Sequence, residues 1–191
     1  MLSQAEKGGV QNTIQNCVTV LQNDPVLADS IRLNLLSERI DIVKPMGWQR
    51  SGPTLTDTDM MYILRRMEKY GLHSEKRVSA AIRIVANENH YHPIRDYLND
   101  LKWDGAERIS HALHRFLGAA EDELTAEALK IFLLGAIKRV FHPGCKFEMM
   151  LCLVGGQGAG KSSFFRLLAI KDEWFSDDLR RLDDDNVFRK L

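Results

Sequence analysis

The sequence has few of the features that mark an exported, membrane-spanning or disulfide-bonded protein. It contains three cysteines among 191 residues, Cys17, Cys145 and Cys152, too few and too scattered for a zinc site. Their odd number argues against a disulfide framework. No run of 18 apolar residues occurs, and the N-terminus lacks the basic and apolar regions of a signal peptide. These absences predict a cytoplasmic protein that neither spans a membrane nor is exported.

The sequence also has no excess of charge of either sign. Lysine plus arginine and aspartate plus glutamate number 26 each, so the overall charge indicates no polyanionic partner. Any nucleic-acid surface must therefore be a local patch. Hydrophobic residues make up 45% of the chain, which is enough for the core of one large domain or two small ones.

One stretch of the sequence carries a nucleotide-binding signature. Residues 155–162 read Gly, four residues, Gly, Lys and Ser, which fits the Walker A template. Glycines let successive backbone N–H groups point inward around an anion at the start of a helix. The alternative is a glycine-rich turn that only links a strand to a helix. The predicted nucleotide-binding residues are Gly155, Gly156, Gln157, Gly158, Ala159, Gly160, Lys161, Ser162 and Ser163.

Two side chains of this stretch have separate predicted roles. Lys161 is expected to reach the β- and γ-phosphates as a compact cation, and it is the one residue predicted to act in catalysis. The hydroxyl of Ser162 is expected to complete the ligand shell of a Mg²⁺ ion that bridges the same phosphates. The sequence therefore predicts a nucleotide site that includes a magnesium ion.

The segments on either side of the glycines predict the fold around them. Residues 147–154 are apolar except for Glu148, as in a strand buried on both faces of a parallel sheet. Residues 162–170 have the pattern of an amphipathic helix. The predicted fold class is α/β and mainly helical, with the first strand, P-loop and helix of an incomplete P-loop NTPase fold at residues 147–191.

Hydrolysis needs more than a phosphate-binding loop. Phosphoryl transfer also requires an acidic residue at the end of a second strand, which holds Mg²⁺. The acidic run Asp183-Asp184-Asp185 follows a stretch without four consecutive apolar residues, and we interpret it as a solvated loop. We therefore interpret the chain as the front portion of a larger ATPase and expect it to be inactive by itself.

The preceding residues predict an N-terminal α+β region at 1–90. Residues 10–23 have the pattern of a helix, and Asp24-Pro25 resembles the start of a short second helix. Residues 31–36 and 39–43 alternate in polarity, as the two strands of a hairpin do.

A pair of helices is predicted to follow the hairpin. The first has several N-cap candidates at residues 56–59 and a glycine stop at Gly71, and Ser74 caps the second. Their apolar residues predict packing of the two helices face to face, as in a helix-turn-helix. The region has an excess of basic residues that predicts a possible DNA-binding patch, although solvated outer faces of ordinary core helices are the alternative. The basic residues are Arg65, Arg66, Lys69, Lys76, Arg77 and Arg83.

A helical bundle is predicted at residues 91–146. Pro93 begins one helix, residues 106–117 form a second, and residues 121–141 form the strongest helix of the chain. This last helix is apolar all round near its centre, which predicts a place in the middle of a core. Two pairs of histidines, His90 with His92 and His111 with His114, lack a third ligand at a suitable spacing for a metal.

Several motifs together resemble the virulence-associated protein E family. The resemblance covers about residues 30–191, and its motifs are specific from residue 92 onward. They are His92-Pro-Ile-Arg-Asp-Tyr-Leu, Leu101-Lys-Trp-Asp-Gly, Arg139-Val, His142-Pro-Gly-Cys-Lys, the Walker A stretch and Trp174-Phe-Ser-Asp.

The resemblance implies a function for the chain. Members of the family are encoded mainly by bacteriophages, prophages and pathogenicity islands and are viewed as replication ATPases related to ring helicases. This implies ATP and Mg²⁺ as ligands, DNA as a partner and an oligomeric ring in the complete protein. Family members continue into a strand with acidic Mg²⁺ ligands that this sequence lacks. A truncated homologue that binds DNA or a replication protein without catalysis is therefore the second hypothesis.

Overall fold

A computed structural model describes residues 2–4 and 9–176. Within these residues the chain is mainly helical, with seven α-helices and one two-stranded antiparallel sheet. The described residues divide into two compact units, one within Met1–Lys102 and the other within Trp103–Leu191. None of the described helices combines the length and the apolar character needed to cross a bilayer. The acidic run Asp183-Asp184-Asp185 lies outside the described residues.

The elements of the first unit are α1 (Ile14–Asn23), β1 (Ile31–Asn34), β2 (Arg39–Ile42), α2 (Asp57–Met67), α3 (Glu75–Glu88) and α4 (Pro93–Asp100). A 3₁₀ turn, Glu68–Tyr70, follows α2. The second unit contains α5 (Ile109–Leu117), α6 (Glu123–Phe141) and α7 (Lys161–Leu168), followed by a 3₁₀ turn, Asp172–Trp174.

The structure confirms the hairpin and most of the helix ends. Strands β1 and β2 pair from Ile31 opposite Ile42 to Asn34 opposite Arg39. Helix α2 begins with a capping box, in which Thr56 and Asp59 each accept a hydrogen bond from the other's backbone N–H. The 3₁₀ turn after α2 ends at Gly71, whose φ of 76° lies in the left-handed region that glycine adopts without strain.

The short helix predicted after Asp24 is wrong. The chain instead makes a hydrogen-bonded turn, in which the carboxylate of Asp24 accepts the backbone N–H groups of Val26 and Leu27 at 2.9 and 3.1 Å. A side-chain oxygen that accepts local N–H groups stabilises such a turn without further helical residues.

The partner of α3 also differs from the prediction. Helices α2 and α3 were expected to pack chiefly on each other, but α3 lies mainly against α1 and β1. Cys17 and Leu21 of α1 are buried in the same cluster as Val78 and Ile82 of α3. Helix α3 therefore buries one side in the core of the first unit and leaves its opposite side exposed.

Asp24 joins α1, the turn that follows it and the end of α2. Its side chain is 1% exposed and accepts a hydrogen bond from Arg66 Nε at 2.5 Å and from the Tyr70 hydroxyl at 2.7 Å. Burial alone raises the pKa of Asp24, but the hydrogen bonds from Arg66, Tyr70, Val26 and Leu27 outweigh it and lower the pKa. The carboxylate is therefore stabilised in its charged form.

Asp59 fixes the loop between β2 and α2 in a similar way. Its carboxylate accepts hydrogen bonds from Trp48 Nε1 at 2.7 Å and Arg50 Nε at 2.8 Å. The same group accepts the backbone N–H of Thr56 at 2.9 Å, and the Trp48 ring stacks on Tyr62. Burial raises the pKa of Asp59, but the bonds from Arg50, Trp48 and Thr56 lower it well below its usual range.

Helix α6 in the second unit does not occupy the middle of a core, contrary to the prediction. Leu129 is buried against Leu113 of α5 and Phe164 of α7, whereas Leu134 is 57% exposed. Ile131 and Ile137 are also exposed. Among the described residues, only one side of α6 has apolar neighbours, so an all-round apolar pattern does not produce all-round burial.

Residues 147–154 form no strand in the described part of the chain, although one was predicted there. A strand needs a hydrogen-bonded neighbour, and the described residues of the second unit contain no strand that could pair with this segment. Leu151 and Leu153 are half-buried against the helices, while Met150 and Val154 are exposed. The segment is thus covered on one side and not on both.

The start of this segment lies unusually close to α6. The ring of Phe147 occupies the space that a Cβ atom at Gly135 would need. Arg139, one turn further along α6, donates a hydrogen bond from Nη2 to the Phe147 carbonyl at 3.5 Å. The glycine in α6 therefore permits the segment to pack directly on the helix backbone.

Arg66→Ala should lower the free energy of unfolding by about 3 kcal/mol, because it leaves the buried carboxylate of Asp24 without its cation. Urea unfolding followed by circular dichroism measures this change. The control is Lys44→Ala, which breaks the exposed ion pair with Asp29 and should cost less than about 1 kcal/mol. Equal losses in the two variants would contradict the role assigned to Arg66.

The lowered pKa of Asp24 predicts a loss of stability in acid. A carboxyl group with a lowered pKa in the folded state stabilises the fold above its unfolded pKa of about 4 and loses this contribution as the pH falls. Asp24→Asn should therefore be less stable at neutral pH and should depend less on pH below about 4. The free energy of unfolding of the unchanged chain and of Asp24→Asn can be measured as a function of pH below about 4. The same slope in both proteins would contradict the link between the pKa of Asp24 and stability.

Gly135→Ala should destabilise the second unit by about 1–3 kcal/mol, because the added methyl group overlaps the ring of Phe147. In an exposed helix interior the same change stabilises by about 1 kcal/mol, so the sign of the effect reports the contact. Thermal unfolding of the single variants and of the double variant with Phe147→Ala measures the coupling. The alanine at position 135 should no longer destabilise once the ring is removed.

Candidate nucleotide-binding site

The Walker A residues form an exposed loop that leads directly into α7. Gly158 and Gly160 have φ angles of 82° and 78°, in the left-handed region. A Cβ atom at Gly156 or Gly158 would meet no atom within 4 Å, so space above the loop is open. The loop therefore has the backbone conformation and the access that a bound anion requires.

The start of α7 leaves backbone donors unused. Gly160 precedes the helix and provides no side chain to cap it. Within the described residues, the N–H groups of Lys161, Ser162 and Ser163 have no hydrogen-bond acceptor. The partial positive charge of a helix N-terminus and these free donors favour an anion at this position.

Lys161 lies inside the loop. Its Nζ donates hydrogen bonds to the carbonyl oxygens of Gly155 and Gly156 at 2.8 and 2.7 Å. An ammonium group held by two neutral carbonyls has a charge without a counterion, so a phosphate oxygen would be a stronger acceptor for it. The Lys161 ammonium is thus held against the backbone of the loop.

Aromatic packing holds α7 in place behind the loop. Phe164 is buried with Leu113 and Leu129, and the ring of Phe165 meets that of Phe132 edge to face at 5.8 Å between centroids. The first turn also closes with a hydrogen bond from Phe164 N to Gly160 O at 2.8 Å. These contacts direct the helix N-terminus towards the glycine loop.

Ser162 is the residue that the sequence predicts as a magnesium ligand. Ser162 is exposed at the first turn of α7, where its hydroxyl is accessible. The described residues contain no group of three or more acidic, histidine or cysteine side chains that could hold a metal.

The six basic residues predicted as a DNA-binding patch have different roles in the structure. Arg66 is paired with Asp24, and Arg77 donates a hydrogen bond to the Asn12 carbonyl. Arg65 lies over the ring of Tyr62 at 5.7 Å. The three others, Lys69, Lys76 and Arg83, are exposed and make no ion pair or hydrogen bond with any described residue.

The histidines have structural roles. His92 caps α4 by accepting the Arg95 N–H, and His114 bonds the Ala119 carbonyl at 2.8 Å. His111 contacts the carboxylate of Glu121 at 3.0 Å. All three contacts are local in sequence.

The support for the loop includes two contacts that sequence reasoning missed. The Phe132–Phe165 ring pair and the packing of Phe147 on Gly135 both join residues far apart in sequence. A glycine within a helix lowers the stability of the helix by about 1 kcal/mol relative to alanine. The presence of Gly135 in an apolar helix was therefore the one feature of the sequence that could have indicated a close contact there.

Comparison with known protein families agrees with the resemblance. Residues 98–191 match the family described as virulence-associated protein E-like domain. No curated protein matches the chain in sequence. The matched residues include α5, α6, the Walker A loop and α7. This region, which forms the loop and the helices that support it, is therefore similar to the virulence-associated protein E-like domain.

Proposed function

We propose that the chain binds ATP with Mg²⁺ at residues 155–163, as part of a DNA-replication ATPase of a phage or another mobile genetic element. The observation that carries the proposal is the uncapped start of α7, where three backbone N–H groups lack an acceptor among the described residues and follow a loop with two positive-φ glycines. The ammonium of Lys161 contacts carbonyls of the same loop. Several donors that face one open space are suited to a phosphate chain and not to a single carboxylate.

Binding would exchange the present partners of Lys161 for stronger ones. The ammonium now donates to the carbonyls of Gly155 and Gly156. Phosphate oxygens accept such bonds more strongly because they are charged. The free N–H groups at the first turn of α7 would receive the same phosphates, so few existing hydrogen bonds are lost on binding.

Magnesium would neutralise charge on the phosphates when bound. The hydroxyl of Ser162 is the protein oxygen offered to it among the described Walker A residues. Hydrolysis also needs an acidic metal ligand and a group that orients water, and no acidic metal-binding cluster occurs in the described part of the chain. We therefore propose nucleotide binding by the residues of this chain, and hydrolysis, DNA unwinding and ring assembly for the complete protein.

The second candidate is a non-catalytic module that binds DNA or a replication protein. The observation in its favour is the combination of unpaired cations in the first unit with the lack of an acidic cluster around Ser162 within the described residues. The two candidates differ in whether nucleotide binding depends on the Walker A side chains. Both act in the cytoplasm, where replication takes place in a bacterial cell.

A titration with a fluorescent ATP analogue tests the proposal on the purified chain. Lys161→Ala should weaken binding about tenfold or more, because a charge-assisted hydrogen bond contributes about 1.5–3 kcal/mol. Ser162→Ala should bind the analogue without Mg²⁺ as the unchanged chain does, and should gain less affinity when Mg²⁺ is added.

Lys130→Ala is the matched control, because Lys130 is an exposed lysine of the same unit that pairs only with Glu127 among the described residues. Its affinity for the analogue should equal that of the unchanged chain. Equal weakening by the two lysine substitutions would indicate nonspecific attraction of the nucleotide. Failure of the unchanged chain to bind would overturn the proposal and favour the non-catalytic module.

A further inference from the structure

The C-terminal end of α5 contacts the Walker A loop. The methyl carbon Cδ2 of Leu117 is 3.7 Å from the position that a Cβ atom at Gly160 would occupy. Gly160 directly precedes α7, so this contact lies beside the backbone N–H groups that have no acceptor among the described residues. The end of α5 therefore borders the proposed phosphate site.

Phe116, the residue before Leu117, carries an exposed aromatic ring at this place. It is 66% exposed, whereas Leu113, about one turn earlier on α5, is buried. Successive residues of a helix differ by about 100° in direction, and their Cα atoms are about 3.8 Å apart. Leu117 therefore packs on the small core of the second unit, while the ring of Phe116 stays in solvent close to the loop.

The helix end that carries the ring is fixed in position. Gly118 ends α5 with a φ of 66°, and its N–H donates hydrogen bonds to the carbonyls of Leu113 and His114. The guanidinium of Arg115 lies over the ring of Phe116, 5.8 Å from the ring centroid. The ring remains mostly accessible beside this cation. A ring on a fixed helix end loses little conformational freedom when a ligand stacks on it.

Other aromatic side chains of the second unit are packed or lie at other helix ends. The rings of Phe132 and Phe165 meet edge to face. Trp174 follows the C-terminal end of α7, whereas the Walker A loop precedes that helix. Phe141 is the last residue of α6. Among these side chains, Phe116 is the exposed ring next to the loop.

We propose that the ring of Phe116 stacks on the base of the nucleotide whose phosphates occupy the Walker A loop, an inference that rests on the nucleotide site proposed above. Every nucleic base has a π face, so an aromatic ring can bind it without hydrogen bonds to its edges. Stacking adds affinity for the base and none for the phosphates. Phe116 thereby distinguishes a nucleoside triphosphate from an inorganic polyphosphate.

Isothermal titration calorimetry of the full chain with ATP and with inorganic tripolyphosphate, each with Mg²⁺, tests the proposal. Phe116→Ala should weaken ATP binding about tenfold, because base stacking is lost, and should leave tripolyphosphate binding unchanged. Phe116→Tyr should keep the affinity for ATP, since it retains the ring. Lys161→Ala should weaken the binding of both ligands, because its proposed contact is with the phosphates.

Phe141→Ala is the matched control, because Phe141 is an exposed ring about 27 Å along α6 from the end that joins α5. It should keep the affinity of the unchanged chain for both ligands. Unchanged ATP affinity in Phe116→Ala, or equal weakening of ATP and tripolyphosphate binding in that variant, would overturn the stacking role and leave the nucleotide site intact. Binding of neither ligand by the unchanged chain would overturn both the nucleotide site and the stacking role.

Discussion

The packing of residues 147–153 against α6 and α7 determines where the Walker A loop can lie. The Phe147 ring rests on α6 at Gly135, and Leu151 and Leu153 extend the contact to the edge of the loop. On the other side of the loop, Phe164 anchors α7 in the same small core. Both ends of the loop are therefore fixed, while the glycines between them stay exposed and free to surround an anion.

The first unit relies on buried carboxylates where the second relies on aromatic and aliphatic contacts. Asp24 accepts hydrogen bonds from the side chains of Arg66 and Tyr70. Asp59 accepts hydrogen bonds from the side chains of Trp48 and Arg50. An ionised group is costly to bury unless it is paired and hydrogen-bonded, and both groups meet that condition. The turn after α1 and the loop before α2 are held by these two anions.

Local interactions made much of the first unit predictable. The hairpin alternates polar and apolar residues, and Thr56, Ser74 and Gly71 mark helix ends through their own side chains or backbone freedom. The exposed glycine loop and the start of α7 could be predicted because both depend on contiguous residues. Such features require no knowledge of distant parts of the chain.

The strand predicted at residues 147–154 and the predicted pairing of α2 with α3 are wrong because both depend on partners that are distant in sequence. Residues 147–154 have the composition of a buried strand, but strand formation requires a neighbour that the described residues do not provide. The acceptors of Arg66 and Arg77, which are Asp24 and the Asn12 carbonyl, lie 42 and 65 positions earlier, so the local pattern of basic residues did not indicate these hydrogen bonds. The sequence shows how many basic residues a region contains, whereas the structure shows which of their side chains are bonded to other residues.

The hydrogen bonds around Asp59 constrain how this sequence can diverge. Trp48, Arg50 and Thr56 all donate hydrogen bonds to the carboxylate of Asp59. Asp59 also completes the capping box at the start of α2. Asparagine offers one acceptor oxygen instead of two, and glutamate is longer by one methylene, so neither retains the whole set of bonds. Changes at these four positions are therefore coupled. Homologues should alter them together, while the exposed residues 51–53 vary more freely.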